Sequence, residues 1–141
     1  MSDVPQWIED RVALCRDALG CHDIHIGMSM SDAPGGNPRN WAVTESNYDC
    51  LSARVIFRRD LENNEFGRCT IDHEMLHIAL MHIVDHVELI IGMLPDDKQM
   101  DADRILRAGL EPNIEHMARA LTPFLDGWQA TTTATQGDDH D

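Results

Sequence analysis

Two histidines and a glutamate lie close together in the segment TIDHEMLHIAL, residues 70–80. His73 and His77 are four residues apart, so on a helix they lie one turn apart on the same face, with about 6 Å between their Cβ atoms. Two imidazoles at this separation can reach one tetrahedral zinc ion at bond lengths of about 2.0–2.1 Å. Glu74 follows the first histidine and projects about 100° around the helix, beside the metal. A carboxylate there can accept a proton from a metal-bound water.

The surroundings of this pattern favour metal binding, although the bare five-residue pattern occurs by chance in many sequences. The neighbouring residues are uncharged apart from Asp72, and the run from Cys69 to Ile91 contains no Gly or Pro and ends before Gly92. This run predicts one long helix that carries the pattern. The alternative is a helix whose histidines are merely packed or exposed.

The extended stretch closely resembles the metal-binding motif of the zincin metallopeptidases. The metzincin subclass would require Gly at position 80 and His at position 83, where this chain has Leu80 and Ile83. In the gluzincins the third ligand is instead a carboxylate from a later helix. The resemblance therefore implies one Zn²⁺ per chain with three protein ligands, which leaves the fourth position for water.

Two glutamates in LEPNIEHMARAL, residues 110–121, are candidates for that carboxylate. Glu111 lies three residues before Ile114 and seven before Ala118, so it continues the apolar stripe of a helix. A carboxylate on an apolar face is costly unless it meets a cation. Glu115 lies one turn later and can hold a ligand histidine by its free ring N–H. We expect Glu111 to be the ligand, with Glu115 as its supporting neighbour or as the alternative ligand.

The C-terminal part of the chain looks like the small single-domain metallopeptidases of phage and bacterial genomes, and is similar to the ImmA/IrrE-type domain. In both, a glutamate just before an Ala/Leu-rich helix completes the metal site, and Glu111 occupies that position. Pro112 would disrupt a helix already running, so we expect the last helix to begin here with Glu111 at its N-cap. The resemblance covers roughly residues 50–125 and is strongest at the histidine motif.

The resemblance implies a zinc metallopeptidase that hydrolyses a peptide or protein substrate, with Glu74 as the general base. SARVIFRRD, residues 52–60, is expected to be the edge strand that pairs with the substrate. Tyr48 and His116 are candidates for an oxyanion-stabilising group, and the sequence does not choose between them. The alternative is a non-catalytic zinc-binding protein with an interaction or regulatory role, but a base beside the metal favours the enzyme.

Hydrophobic spacing predicts an α+β fold with an N-terminal helix, a small, mostly antiparallel three-stranded sheet, the motif helix and C-terminal helices. The predicted elements are a helix at 4–19, strands at 24–30, 41–46 and 52–60, and helices at 69–91, 101–109 and 111–128. Residues 1–128 are expected to form a single zincin-like domain. The acidic tail, residues 129–141, is expected to be disordered because it offers little to bury.

The composition limits the classes of partner and location. The chain has 141 residues and a formal net charge of −14, so repulsion from phosphates makes a nucleic-acid binder unexpected. No apolar run approaches the roughly 18–20 residues of a membrane span, so no membrane association is expected. The N-terminus lacks the features of a signal peptide, which favours a cytoplasmic location. The four cysteines form no C-x-x-C pair, which favours reduced thiols.

Overall fold

The computed structural model describes residues 2–47 and 49–137, except for the side chains of residues 132–137. Three helices and one small sheet make up this part of the chain, which confirms the predicted α+β class. In chain order the elements are α1 (Gln6–Leu19), β1 (His25–Ser31), a short 3-10 turn (Pro34–Gly36), β2 (Ala42–Asn47), β3 (Ser52–Arg58), α2 (Glu65–Gly92) and α3 (Asp96–Gly137).

The sheet is mixed and has the strand order β1-β3-β2. Val55 of β3 is paired with Met28 of the parallel strand β1 and with Thr44 of the antiparallel strand β2. One of the two strand pairs is thus parallel, because the connection over residues 32–41 leaves room for one strand between β1 and β2. β3 then folds back from β2 into this central position and runs parallel to β1. The prediction that β3 is a free edge strand was wrong. β3 is the central strand and buries Val55 and Phe57 completely, so the free edges belong to β1 and β2.

The hydrophobic core lies between α1, the sheet and the first part of α2, and α3 packs against α2 on a second side. Apolar side chains from each element meet in this core because their spacing places them on one face of each helix or strand. Fully buried members are Ile8, Cys15, Val55, Phe57, Ile71, Met75 and Ile78. From α3, Leu125 joins this cluster, while Ile114 and Ala118 pack around Leu76.

α2 begins four residues earlier than the sequence predicted. Asn64 is its N-cap, and its side-chain oxygen accepts a hydrogen bond of 2.8 Å from the backbone N–H of Gly67. This bond satisfies one of the free N–H groups at the helix start, and Glu65 in the first turn interacts favourably with the helix dipole. Gly67 is required here, since a Cβ atom would lie 1.9 Å from the backbone oxygen of Glu62.

α3 is one continuous helix, so the predicted break before Pro112 is absent and Glu111 lies inside the helix, not at its N-cap. Proline removes a backbone N–H and crowds the preceding turn. The carbonyl that would otherwise accept from residue 112 is that of Ala108, and the next carbonyl, that of Gly109, accepts a hydrogen bond of 2.6 Å from Nδ2 of Asn113. α3 also reaches Gly137 and thus includes residues of the tail predicted to be disordered. Extending an existing helix requires no new nucleation, which favours this continuation.

α2 is also unusually apolar over its length. An 18-residue window within it has a mean hydropathy of 1.5, enough in length and composition for a membrane span, and 22% of that window is buried inside the protein. Histidines and acidic residues interrupt this helix, so the sequence contains no unbroken apolar run of that length. Core helices of soluble proteins can have the same length and hydropathy, so these two quantities do not test the prediction. The absence of membrane association therefore stays a prediction.

Candidate metal centre

α2 and α3 lie antiparallel and bring together the three residues that the sequence analysis proposed as ligands. The ring atoms Nε2 of His73 and Nε2 of His77 are 3.2 Å apart. Oε1 of Glu111 lies 3.0 Å from Nε2 of His77, and its Oε2 lies 3.3 Å from Nε2 of His73. Both histidines are mostly buried, whereas the Glu111 side chain is 59% exposed.

These separations fit the edges of a zinc coordination tetrahedron. Ligand atoms bonded to zinc at about 2.0–2.1 Å in tetrahedral geometry lie about 3.3–3.4 Å from one another. Two imidazole nitrogens and a carboxylate oxygen are also a donor set that zinc prefers. The three side chains therefore fit one Zn²⁺, as the sequence predicted, and the ligand roles themselves stay predictions.

Glu115 contacts the ring nitrogen of His73 that faces away from the other candidate ligands. Its Oε2 lies 3.0 Å from Nδ1 of His73, and its Oε1 accepts a hydrogen bond of 2.9 Å from Nε of Arg119. An imidazole N–H that donates to a carboxylate fixes the ring orientation and leaves the other nitrogen for a metal ion. Nε2 of His73, the nitrogen toward His77 and Glu111, is the one in that position.

Glu74 is buried at 7% exposure beside this cluster. Its Oε2 accepts a short hydrogen bond from the hydroxyl of Thr44, which β2 supplies. Its side chain borders the same cavity as His73, His77 and Glu111. The Glu74 carboxylate is thus held between β2 and α2, at the same cavity as the three candidate ligands.

Two adjoining cavities form a cleft between β2 and the paired helices. The larger cavity has a volume of about 610 Å³ and the smaller of about 270 Å³, and both are bordered by His73 and Glu74. β2 borders the larger cavity from Ala42 to Ser46, and Ala42 also borders the smaller cavity. A free strand edge beside a cleft can pair with an extended peptide.

A second polar cluster lies on the inner side of α2, directly below the motif. Asp72 is completely buried and accepts two hydrogen bonds from Arg11, at 2.8 and 2.6 Å. It also accepts from the hydroxyl of Thr122 at 2.6 Å and from Sγ of Cys15 at 3.0 Å. Every donor comes from another helix, so this inner polar cluster (Arg11, Asp72, Thr122 and Cys15) ties α1 and α3 to the turn of α2 that carries His73.

The ionisation of the inner polar cluster follows from its contacts. Burial opposes the charge of Arg11, but its hydrogen bonds to Asp72 and the carboxylate charge outweigh this effect and raise the pKa of Arg11. Burial and the neighbouring Asp72 raise the pKa of the Cys15 thiol well above its ordinary value. Arg11 is therefore charged and Cys15 is a protonated donor.

Other candidates from the sequence lie outside the centre. His116 is exposed and borders neither cavity of the cleft, and Tyr48 lies outside the described residues. His82 lies 3.6 Å from Asp23, on a different side of α2 from the proposed ligands. Glu88 pairs with Arg107 at 2.9 Å, further along the helix.

Sequence reasoning did not identify Thr44, Arg11 or Asp72 as parts of the site. Thr44 gave no signal, because a single threonine in a strand is ordinary. Arg11 and Asp72 did give one: Arg11 lies on the face of α1 that buries Ile8 and Cys15, and Asp72 is in phase with apolar residues of α2. Opposite charges on the apolar faces of two helices predict a buried pair.

No protein-family model matches the chain, and the searches of curated proteins and of solved structures return no match. The case for a function therefore rests on the residues of the site and their geometry.

Proposed function

We propose that this protein is a small zinc-dependent peptidase of the gluzincin type. One observation carries the proposal: three ligand atoms with the spacing of a zinc tetrahedron lie beside a buried, oriented carboxylate in an open cleft. A site that binds zinc only for structure has four protein ligands and needs no base. Here the described residues supply three ligands and Glu74.

The proposed chemistry assigns one task to each group. Bound through His73, His77 and Glu111, a zinc ion would acidify a water and polarise a peptide carbonyl. Glu74 accepts the proton of that water at its carboxylate and then donates it to the leaving nitrogen. Thr44 keeps the Glu74 carboxylate turned toward the cleft, and Glu115 keeps the ring of His73 in place.

The substrate in this proposal is an extended peptide that pairs with β2. β2 is an edge strand of the described sheet, and it borders both cavities of the cleft. Main-chain hydrogen bonds to an edge strand bind a peptide with little dependence on sequence, and side-chain pockets add selectivity. β2 thus takes the role that the sequence analysis gave to β3.

The test is cleavage of a peptide library by zinc-loaded protein, with product masses as the measurement. We expect cleavage that stops in chelator, returns with zinc and falls by at least about a thousandfold in Glu74→Gln. Glu62→Gln is the matched control, because Glu62 is exposed in the loop before α2 and borders neither cavity.

Two results would contradict the peptidase. Cleavage that persists in Glu74→Gln would exclude Glu74 as the base. Full zinc binding without any cleavage of the library, by both wild type and Glu62→Gln, would favour the non-catalytic zinc-binding protein instead. Zinc content alone does not separate the two, since both functions require it.

A further inference from the structure

We propose, on the basis of the proposed peptidase function, that Asp85 makes this site selective for peptides with a positive charge on the N-terminal side of the cleaved bond. Asp85 is half-buried on α2 and borders the larger cavity, which also holds the proposed metal ligands. The cation can be a Lys or Arg side chain or a free α-amino group, which share the chemistry that a carboxylate recognises.

The other charged groups that border the larger cavity have partners within the protein. Glu88 pairs with Arg107 at 2.9 Å, and Glu111 lies against the two histidines. Glu74 accepts from Thr44. Among the described residues, no hydrogen bond or ion pair engages the Asp85 carboxylate. Asp85 is therefore the one acidic group bordering the larger cavity that has no hydrogen-bond or ion-pair partner among the described residues, and a substrate cation can pair with it.

The spacing along α2 gives the substrate position. Asp85 lies eight residues after His77, so it is two turns further along the same helix, about 12 Å from that ligand. An extended peptide advances about 3.4 Å per residue. The preferred cation therefore lies three or four residues from the cleaved bond. At this distance Asp85 cannot reach the α-amino group of the residue that precedes the cleaved bond.

The direction of β2 gives the side of the bond. β2 runs from Ala42, which borders both cavities, to Ser46, which borders only the larger cavity, together with Asp85. Antiparallel pairing is slightly more stable per residue than parallel pairing. A peptide antiparallel to β2 has its N-terminal residues near Ser46 and Asp85. The cation is therefore expected before the cleaved bond.

Binding to zinc-loaded Glu74→Gln protein tests this inference without turnover. The probes are the acetylated peptides Ac-Ala-Lys-Ala-Ala-Ala-Leu-NH₂ and its norleucine counterpart, with a free-amine version of the latter to separate the two sources of charge. We expect the lysine peptide to bind about fivefold more tightly than the acetylated norleucine peptide, measured by NMR titration. In Asp85→Asn this preference is lost, and in Asp85→Lys it changes to a preference for a further probe, the same acetylated peptide with Glu in place of Lys.

Asp32→Asn is the matched control, because it removes the same charge from a site that is 90% exposed and borders neither cavity of the cleft. It should keep the preference for lysine. Equal binding of the charged and neutral acetylated peptides, absence of binding by any of them, or an unchanged preference in Asp85→Asn would overturn the proposal. These results are independent of whether wild type cleaves peptides, so the peptidase proposal can fail separately.

Discussion

Asp72 and His73 are neighbours on α2, yet they belong to two polar clusters of opposite character. Asp72 is fully buried in the inner polar cluster and is bound by donors from Arg11, Cys15 and Thr122. His73 faces the cleft, where it meets His77 and the carboxylates of Glu111 and Glu115. The inner polar cluster pairs its buried carboxylate with Arg11. In the outer cluster (His73, His77, Glu111 and Glu115), Arg119 pairs with Glu115, but no Lys or Arg among the described residues pairs with Glu111. The inner polar cluster is suited to stabilise the fold, and the outer cluster is suited to bind a cation.

The largest effect expected from this comparison concerns Arg11. Arg11→Met leaves the charge of Asp72 buried without a partner and should lower the free energy of unfolding by about 3–5 kcal/mol. Denaturant unfolding measures this change. Arg54→Met is the control, because Arg54 is exposed on β3 and its loss should change stability by less than about 0.5 kcal/mol.

The double variant Arg11→Met with Asp72→Leu tests the cause of that loss. Removing both charges should recover much of the stability, since the main penalty is the unpaired buried carboxylate. If the single variant is as stable as Arg54→Met, the inner polar cluster is not what holds the three helices together.

At the outer cluster, we expect metal binding to change the stability of the protein. Zinc at a thousand times its dissociation constant should raise the free energy of unfolding by about 4 kcal/mol. His77→Ala should lose nearly all of this gain, while His116→Ala, an exposed histidine outside the cleft, should keep it. Thermal unfolding with zinc and with chelator measures both. An equal gain in His77→Ala would show that zinc binds elsewhere.

Two threonines allow the clusters to be compared with the same substitution. Thr122→Val removes a buried donor to Asp72 and should lower the free energy of unfolding by about 1–3 kcal/mol. Thr44→Val removes the donor to Glu74 and should lower kcat about tenfold, equivalent to 1.4 kcal/mol, with zinc affinity unchanged. The roles would be wrong if Thr122→Val changed only kcat or Thr44→Val changed only stability.

The smallest effect is a pH dependence of stability from Cys15. Its pKa is raised in the folded state by burial and by Asp72, whereas the unfolded thiol ionises near pH 8.5. The unfolded state therefore binds fewer protons above that pH, and stability falls as the pH rises, by at most about 1.4 kcal/mol per pH unit for one thiol. Denaturant unfolding between pH 8 and 10 should show a smaller slope in Cys15→Ala, with Cys50→Ala as the exposed control. An unchanged slope would contradict this assignment.

Local patterns in the sequence were good guides to individual elements and poor guides to their ends. The spacing of His73 and His77 predicted a helix, and α2 contains it. The earlier start of α2 at Glu65 was missed, although Asn64 three residues before Gly67 is a recognisable capping position. The break expected at Pro112 is absent: α3 continues through it, and Ile114 and Ala118 beyond it pack around Leu76 of α2, a burial that helix propensity does not include.

The sequence by itself determined the features that depend on near neighbours along the chain: the motif helix, the common face of His73 and His77, and the position of Glu74 beside them. Helix geometry sets these relations within a few residues. Only the tertiary structure decided which strand borders the cleft, and that Thr44 contacts Glu74 across 30 residues. It also decided that Arg11 pairs with Asp72 across 61 residues. Such contacts depend on how whole elements pack, because residues far apart in sequence meet only when the burial of apolar faces brings their helices and strands together.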